Sequence, residues 1–351
     1  MNNRVLMVGP DVGSMGGVAT VERNILDAAD SSGVEIEFVA TVGDCSKLGK
    51  VFRYVKALLE AHNQLLEADV CHVHMALGMS CRRKYFICRD AVRTRVPYVL
   101  HVHEGDFENR YKAMSVRGRA KVAWMMSNAA KVIVLSAEWE EYFRAKFGLT
   151  NIVVLENAVF VPKSVSGCKD PLRFYFLGSM CPRKCVDDLL RATFFLIKVH
   201  PEAKVLLAGG GEELGNYKRM ATELGLNGNV EFLGWADDTM KARLVDECLT
   251  SVLPSEAEGL PMCVLESMAA GCASIATKVG GLPSLIEDEV NGLLVEPHDP
   301  EGLADVMAKC IEDPEWARRI AAEGRQTIID RFSMDAYWHR LEVIYEEATA
   351  K

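Results

Sequence analysis

At 351 residues, the chain is long enough for about two domains of ~100–200 residues each. Its 49% hydrophobic and 25% charged residues match a globular protein and exclude disordered, collagenous and coiled-coil chains. A net charge of −9 argues against a nucleic-acid binder, which needs basic excess to meet phosphates, and no apolar run approaches the ~18–20 residues of a membrane span. The start, Met1-Asn-Asn-Arg-Val-Leu-Met-Val-Gly, enters a strand-like run without an apolar leader, which predicts a cytoplasmic protein. Eleven cysteines, an odd count in mostly apolar contexts, suit reduced core thiols rather than a disulfide framework.

Along the chain, short β-branched runs alternate with longer amphipathic segments. In the first half, strands are expected at residues 4–9, 35–41, 69–74, 97–103, 131–136 and 152–155. The first ends in Val8-Gly9-Pro-Asp-Val-Gly13-Ser-Met-Gly16-Gly17-Val18, which leads into a helix with apolar positions at 18, 21, 25 and 28. Glycines there let backbone N–H groups approach a phosphate or sugar, although a Gly-Gly turn alone is weak evidence. The spacing is not that of the dinucleotide fingerprint.

Two His-Val-His pairs follow, His72/His74 and His101/His103. Strand alternation puts each pair on one face, where the histidines can form a four-histidine cluster or, more commonly, hydrogen-bond their neighbours. No metal is expected. Residues 82–121 carry eleven basic groups against four acidic ones. Around Tyr111–Met126, Arg110, Lys112, Arg117, Arg119 and Lys121 mix with Trp124, the composition of a helix lying on an anionic bilayer. The other reading is a solvated basic face or a pocket for a soluble anionic acceptor. Gly118 weakens the helix.

Residues 161–171 collect Pro, Ser, Gly and charge without periodicity and read as a linker. The first 170 residues carry a net +3 and the remainder −12, so the halves face different partners. Strands of the second half are expected at 173–178, 204–209, 229–234, 249–254 and 273–277. Nearly continuous apolar strands separated by helices mark parallel sheets covered on both faces, so each half is a doubly wound α/β unit. The expected domains are residues 1–165 and 170–332. A closing helix over 333–351, capped by Ser333, belongs to the core of the second domain or crosses back to the first.

After the first strand of the second half comes Gly178-Ser179-Met-Cys181-Pro-Arg183-Lys184-Cys185. Its two cysteines lack further metal ligands nearby in sequence, so no zinc site is expected. The most informative segment is Pro254-Ser-Glu256-Ala-Glu258-Gly259-Leu260-Pro261-Met-Cys-Val-Leu-Glu266-Ser-Met-Ala-Ala-Gly271. A strand ends at Pro254, Pro261 opens a helix and Gly271 stops it. Free N–H groups near residues 259–262 would hold an anion such as a phosphate at the carboxyl edge of the sheet, with Glu258 beside it. Glu266 lies in a helix apolar almost all round. Its carboxylate either meets a partner such as the vicinal diol of a ribose or occupies a thin solvent-exposed stripe.

This segment, with residues 274–300 after it, resembles the Glu, seven residues, Glu motif of family-4 retaining glycosyltransferases of the GT-B fold, and the resemblance extends over essentially the whole chain. It implies two Rossmann-like domains facing a central cleft, with a nucleoside diphosphate sugar on the second and the acceptor on the first. Glu258 would sit at the donor sugar and its phosphates, with Gly259, Leu260 and Pro261 beside it, and Glu266 at the ribose. Lys184 matches the family's lysine, while Ser179 and Cys185 replace its arginine and glycine. Arg183 either substitutes as a phosphate contact or is an exposed loop charge. Gly16 and Gly17 would approach the diphosphate. His103 would hydrogen-bond the sugar or shuttle a proton from an ordinary pKa of ~6.5.

The resemblance implies retaining, metal-independent hexosyl transfer from a UDP-sugar by default to a glycan or lipid-linked acceptor in cell-surface polysaccharide synthesis, at the inner face of the membrane. The alternative is a non-catalytic partner subunit that binds glycan or protein without donor turnover. Neither a cofactor nor nucleic acid is expected, and the sequence is silent on oligomeric state.

Overall fold

The computed structural model describes residues 4–14, 16–43, 47–165, 167 and 169–350. The chain divides into two compact units, Met1–Ala158 with Met334–Lys351, and Val159–Ser333. The division falls seven residues before the expected boundary at 165. Val159 pairs with Ser333 as an isolated bridge and its N–H donates to the Phe332 carbonyl at 3.0 Å, which commits the chain to the second unit from that point.

The first unit alternates β1 (Val5–Gly9), α1 (Gly17–Ser32), β2 (Ile36–Ala40), α2 (Lys47–Leu65), β3 (Val70–Met75), α3 (Met79–Thr94), β4 (Tyr98–Val102), α4 (Phe107–Ala113), α5 (Val116–Asn128), β5 (Lys131–Val134), α6 (Ala137–Phe147) and β6 (Ile152–Val154). The second contains β7 (Asp170–Leu177), α7 (Val186–Leu196), β8 (Lys204–Ala208), α8 (Leu214–Glu223), β9 (Val230–Gly234), α9 (Asp238–Glu247), β10 (Cys248–Leu253), α10 (Met262–Ala269), β11 (Ala273–Thr277), α11 (Leu282–Leu285), β12 (Leu293–Val295), α12 (Pro300–Glu312) and α13 (Pro314–Arg331). The last helix, α14 (Met334–Thr349), packs beside α1 and against β3 and β4 in the first unit.

Each unit holds a six-stranded parallel sheet, ordered β2-β1-β3-β4-β5-β6 and β12-β11-β10-β7-β8-β9. Strands β1, β3, β4, β10 and β11 are buried along their whole length, as parallel sheets clothed by helices require. The winding reverses between β1 and β3 in one unit and between β7 and β10 in the other. In doubly wound sheets such switch points open crevices at the strands' carboxyl ends.

Two sequence expectations change. Residues 170 and 171, read as linker, begin β7; Pro171 is tolerated because it stands at the start of that strand. The three-residue β12 was not expected, because a run that short carries no periodic signal.

Candidate functional site

In the second unit, the residues expected to meet a donor gather where β7 and β10 end. Pro182–Lys184 forms a single 3-10 turn. That turn aims Lys184 at Glu258, whose Oε1 accepts from Lys184 Nζ at 2.6 Å, while Arg183 lies 3.2 Å from Oε2. Arg183 Nη1 also donates to the Ala257 carbonyl at 2.5 Å, and the Glu256 N–H donates to the Arg183 carbonyl at 3.0 Å. These bonds tie the two loops together across the switch point. Arg183 is therefore no idle loop charge.

Glu258 is 5% exposed and Lys184 7%. Burial pushes the Glu258 carboxyl up, but Lys184 and Arg183 outweigh it and hold the group below the usual carboxylate range. The carboxylate is therefore ionised at neutral pH, with two cations against one anion. That surplus positive charge at a strand end suits a phosphate.

Cys185 follows with φ +47°, the left-handed region that ordinarily selects glycine. The resembled family's glycine therefore answers a backbone requirement, and Cys185 meets it, leaving the turn and the reach of Lys184 intact. Gly280 shows a second such requirement. It has φ +54°, and a Cβ there would lie 1.7 Å from the Glu258 carbonyl. The Gly281 N–H donates to the Gly259 carbonyl at 2.8 Å, so this glycine pair packs directly on the Glu258 loop. Leu260 and Pro261 are buried beside it, Pro261 caps α10, and Gly271, in the left-handed region, follows that helix's C-cap Ala270. The Gly209-Gly210-Gly211 run after β8 also lines this edge, with the Met180 N–H bonded to the Gly210 carbonyl at 2.8 Å. Sequence analysis passed over that run, although three glycines at a strand end are a legible signal.

Glu266 differs from the buried carboxylate considered above. Its side chain is 26% exposed and faces Lys241 of α9 at 3.8 Å, so α10 presents it on a half-open stripe.

In the first unit, Gly16 precedes α1 and Gly17 opens it; Met15 lies outside the described residues. Asp11 anchors the loop by accepting from Gly13 N–H at 3.0 Å and pairing with Arg53 at 2.7 Å. His103 follows β4 and is half-buried. Its Nε2 meets His74 Nδ1 at 2.8 Å. His72 continues the stack, with Nε2 at 3.3 Å from His101 Nδ1 and Nδ1 at 2.8 Å from the Tyr345 hydroxyl. Burial lowers all four histidines, His72 and His103 to about 3. This corrects the ordinary pKa expected for His103. The ring is neutral at physiological pH and is hydrogen-bonded to His74.

Beneath these rings lie two polar residues that sequence analysis missed. Glu22 is fully buried against Gly9, both carboxylate oxygens lack a hydrogen-bond partner among the described residues, and burial raises it to about 9 despite Lys84. Burial lowers Lys84 to about 7, and its Nζ donates to Thr41 Oγ1 at 2.5 Å. Both sit on the apolar faces of their helices, Glu22 among 18, 21, 25 and 28, and Lys84 among 81, 87, 88 and 91. A charged residue at a core position of the 3.6 pattern was the available signal.

The basic stretch is not one surface-lying helix. It breaks at Met114-Ser115 between α4 and α5, where Ser115 Oγ accepts from Gly118 N–H at 3.2 Å. Arg110 pairs with Glu104 at 2.6 Å, Lys112 pairs with Glu108 at 2.7 Å, and Arg119 donates to the Lys112 and Met114 carbonyls at the end of α4. Those three charges are engaged within the unit. Arg117 is exposed, Lys121 lies over Tyr85 and Phe86, and Trp124 is half-buried edge-on to Tyr85. Among the described residues, no helix is long and apolar enough to cross a membrane.

Residues 163–327 match the family described as glycosyl transferases group 1, and residues 33–158 match a glycosyl transferase 4-like domain. A D-inositol 3-phosphate glycosyltransferase of Saccharomonospora viridis is 35% identical over 193 residues, 52% of this chain and 44% of the relative. The lipopolysaccharide core biosynthesis glycosyltransferase LpsE of Rhizobium meliloti is 33% identical over 160 residues, 46% of this chain and 45% of the relative. These matches span less than half the length of either relative. Anabaena Alr3699/HepE, solved in complex with UDP and glucose, superposes with a TM-score of 0.79 at 18% identity, covering 98% of this chain and 99% of that one.

Proposed function

We propose that this chain, which belongs to the family-4 glycosyltransferases of the GT-B fold, is a retaining enzyme that moves a hexosyl group from a UDP-sugar to a glycan or lipid-linked acceptor. The observation that carries this reading is the ionised Glu258, held by Lys184 and Arg183 at the β7/β10 switch point. In the reaction, the bond from the anomeric carbon to the phosphate oxygen breaks and the acceptor oxygen bonds that carbon on the same face. The acceptor proton passes to the leaving phosphate. Lys184 and Arg183 supply charge to the diphosphate as it leaves. Glu258 positions those cations and the sugar, and Glu266 and Lys241 frame the edge of α10 where the nucleoside would lie. No metal takes part in the transfer.

The second unit takes the donor. The first unit takes the acceptor, with neutral His103 hydrogen-bonding to sugar. The solved relative with UDP and glucose supports the uridine donor, and the named lipopolysaccharide relative supports a role in cell-surface polysaccharide synthesis. Cys185 supports the enzyme over a non-catalytic partner subunit, because it keeps the turn that delivers Lys184.

A cytoplasmic enzyme docked at an anionic membrane fits the exposed apolar residues Phe52, Val55 and Leu59 on α2, and Met79 and Phe86 on α3, with Lys121 of α5 over the Phe86 ring. Flotation with anionic and neutral vesicles tests the docking. Binding to the anionic set alone is expected, and binding to neither set or equally to both overturns it.

Label transfer from a panel of UDP-hexoses to a membrane glycan extract tests the activity. Glu258→Ala is expected to lower transfer by at least ~100-fold, the order of loss when one transition-state contact is removed. Transfer at the wild-type rate by that variant overturns the assignment.

A further inference from the structure

Cys185, Glu256 and His298 are 113 positions apart at their extremes and come from three different loops, yet one ligand atom of each lies within 4.8 Å of the others. Cys185 precedes α7, Glu256 stands in the loop after β10, and His298 stands between β12 and α12. His298 Nδ1 contacts Asp188 Oδ2 at 3.0 Å, and its Nε2 faces Glu256 Oε2 at 3.8 Å. A buried carboxylate on one ring nitrogen fixes the ring's orientation and directs the other nitrogen outward, which is the outer-shell arrangement of metal-binding histidines. Asp188 is 5% exposed and its other oxygen is engaged by Arg191 at 3.3 Å.

Two of the three residues also share an unusual backbone conformation. Among the described residues, only four non-glycine residues occupy the left-handed region, and two of them are Cys185 at +47° and His298 at +59°. L-residues enter that conformation at a cost, and such outliers cluster at functional positions. Here both outliers deliver metal-type donors to one point.

We infer that Cys185, Glu256 and His298 form a zinc-class metal site, with Asp188 orienting His298. A thiolate, an imidazole and a carboxylate are zinc's donor set, and three protein ligands leave a fourth tetrahedral position for water. Tetrahedral zinc sets its ligand atoms roughly 3.4–3.6 Å apart. The Glu256 side chain, 48% exposed, can rotate to close the remaining distance to the ring that Asp188 holds. Metal uptake replaces the thiol proton, which leaves to solvent as the sulfur–metal bond forms. Cys181, four residues away, is not required; the missing ligands come from distant loops, which is why sequence spacing did not show them.

This inference stands apart from the donor reading, since it is tested without nucleotide or acceptor. The metal-stripped full chain is titrated with Zn²⁺ in competition with a chromogenic chelator, and with Co²⁺ followed by absorbance. One equivalent per chain is expected, with a thiolate-to-cobalt charge-transfer band. Cys185→Ser is expected to abolish the band, His298→Gln to weaken Zn²⁺ binding by at least ~100-fold, and Asp188→Asn to weaken it by ~10–100-fold while keeping the band. His298 is at the surface, so its variant keeps the test decisive if Cys185→Ser fails to fold. Absence of a band in the wild type, a band that survives Cys185→Ser, or Zn²⁺ affinity unmoved by His298→Gln would each overturn the site.

Discussion

Glu22 in the first unit and Glu258 in the second are both buried carboxylates beside the carboxyl end of a parallel sheet, and they hold opposite protonation states. Glu258 has Lys184 at 2.6 Å and Arg183 at 3.2 Å and stays ionised. Glu22 has no hydrogen-bond partner for either oxygen among the described residues and is raised to about 9, so it is protonated at neutral pH. The surroundings match, since Glu22 lies 4.0 Å from the neutral His74 and Glu258 lies between two cations. Similar geometry therefore yields a neutral polar core in one unit and a charged anion-binding edge in the other. Desolvation dominates at Glu22, where Lys84 acts without a hydrogen bond to the carboxylate, and ion pairing dominates at Glu258, where two cations touch it.

The largest expected effect that would break this contrast is acid lability confined to the first unit. His72, His74, His101 and His103 have folded pKa values depressed below 6.5, to about 3 for His72 and His103. Their contribution is fully present above the unfolded value and is lost as pH falls from about 6.5 toward about 3. Lowering the pH from about 7 to about 5 should destabilise β3 and β4 by about 2 kcal/mol for each histidine that stays neutral, on the order of 8 kcal/mol for the four. Hydrogen exchange checks this. Faster exchange in β3 and β4 but not in β7 and β10 is expected, and uniform loss across both units would break the contrast.

Next in size is the Glu258 pair. Lys184→Met leaves Glu258 buried beside Arg183 alone, and removing one partner of a buried ion pair costs about 3 kcal/mol. Urea unfolding of the variant measures the loss, and a change under about 1 kcal/mol would place the pair in solvent-like surroundings.

The smallest effect sharpens the other side. Glu22 has a raised folded pKa, so its stabilising contribution is complete below about 4.5 and is lost as pH rises through about 9. Lys84 has a depressed folded pKa, so its contribution is present above about 10.5 and is lost as pH falls through about 7. The two oppose each other only above about pH 7, where Lys84 begins to compensate. Glu22→Gln is therefore expected to gain up to about 2 kcal/mol relative to wild type between about pH 5 and pH 7. Parallel stability curves for the two proteins would show that Glu22 is ionised throughout.

Much of this organisation was legible in the chain. All eleven expected strands form, because apolar runs bounded by glycine and proline leave parallel sheets few alternatives. The Glu258 segment announced its strand, loop and helix through Pro261 and Gly271. What stayed hidden depends on distance. The Lys184–Glu258 bond joins residues 74 apart, and Arg183 was undecided until that loop was in place. Protonation was hidden too. The His-Val-His spacing gave the faces on which the rings stack, but the depressed pKa values follow from packing that no local pattern encodes. Arg110 and Arg119 mislead in the opposite direction, since a basic run reads as a surface until each guanidinium is seen bonded to a carboxylate or a helix end.

The proposed function requires the second unit to keep a working nucleotide-sugar donor site. Calorimetric titration of the full chain with UDP, GDP and ADP tests it most directly. Micromolar binding of UDP, lost in Lys184→Ala and absent or far weaker for the other two, is the predicted result. Failure of all three nucleotides to bind a folded wild-type chain would contradict the account and favour a partner subunit without donor chemistry.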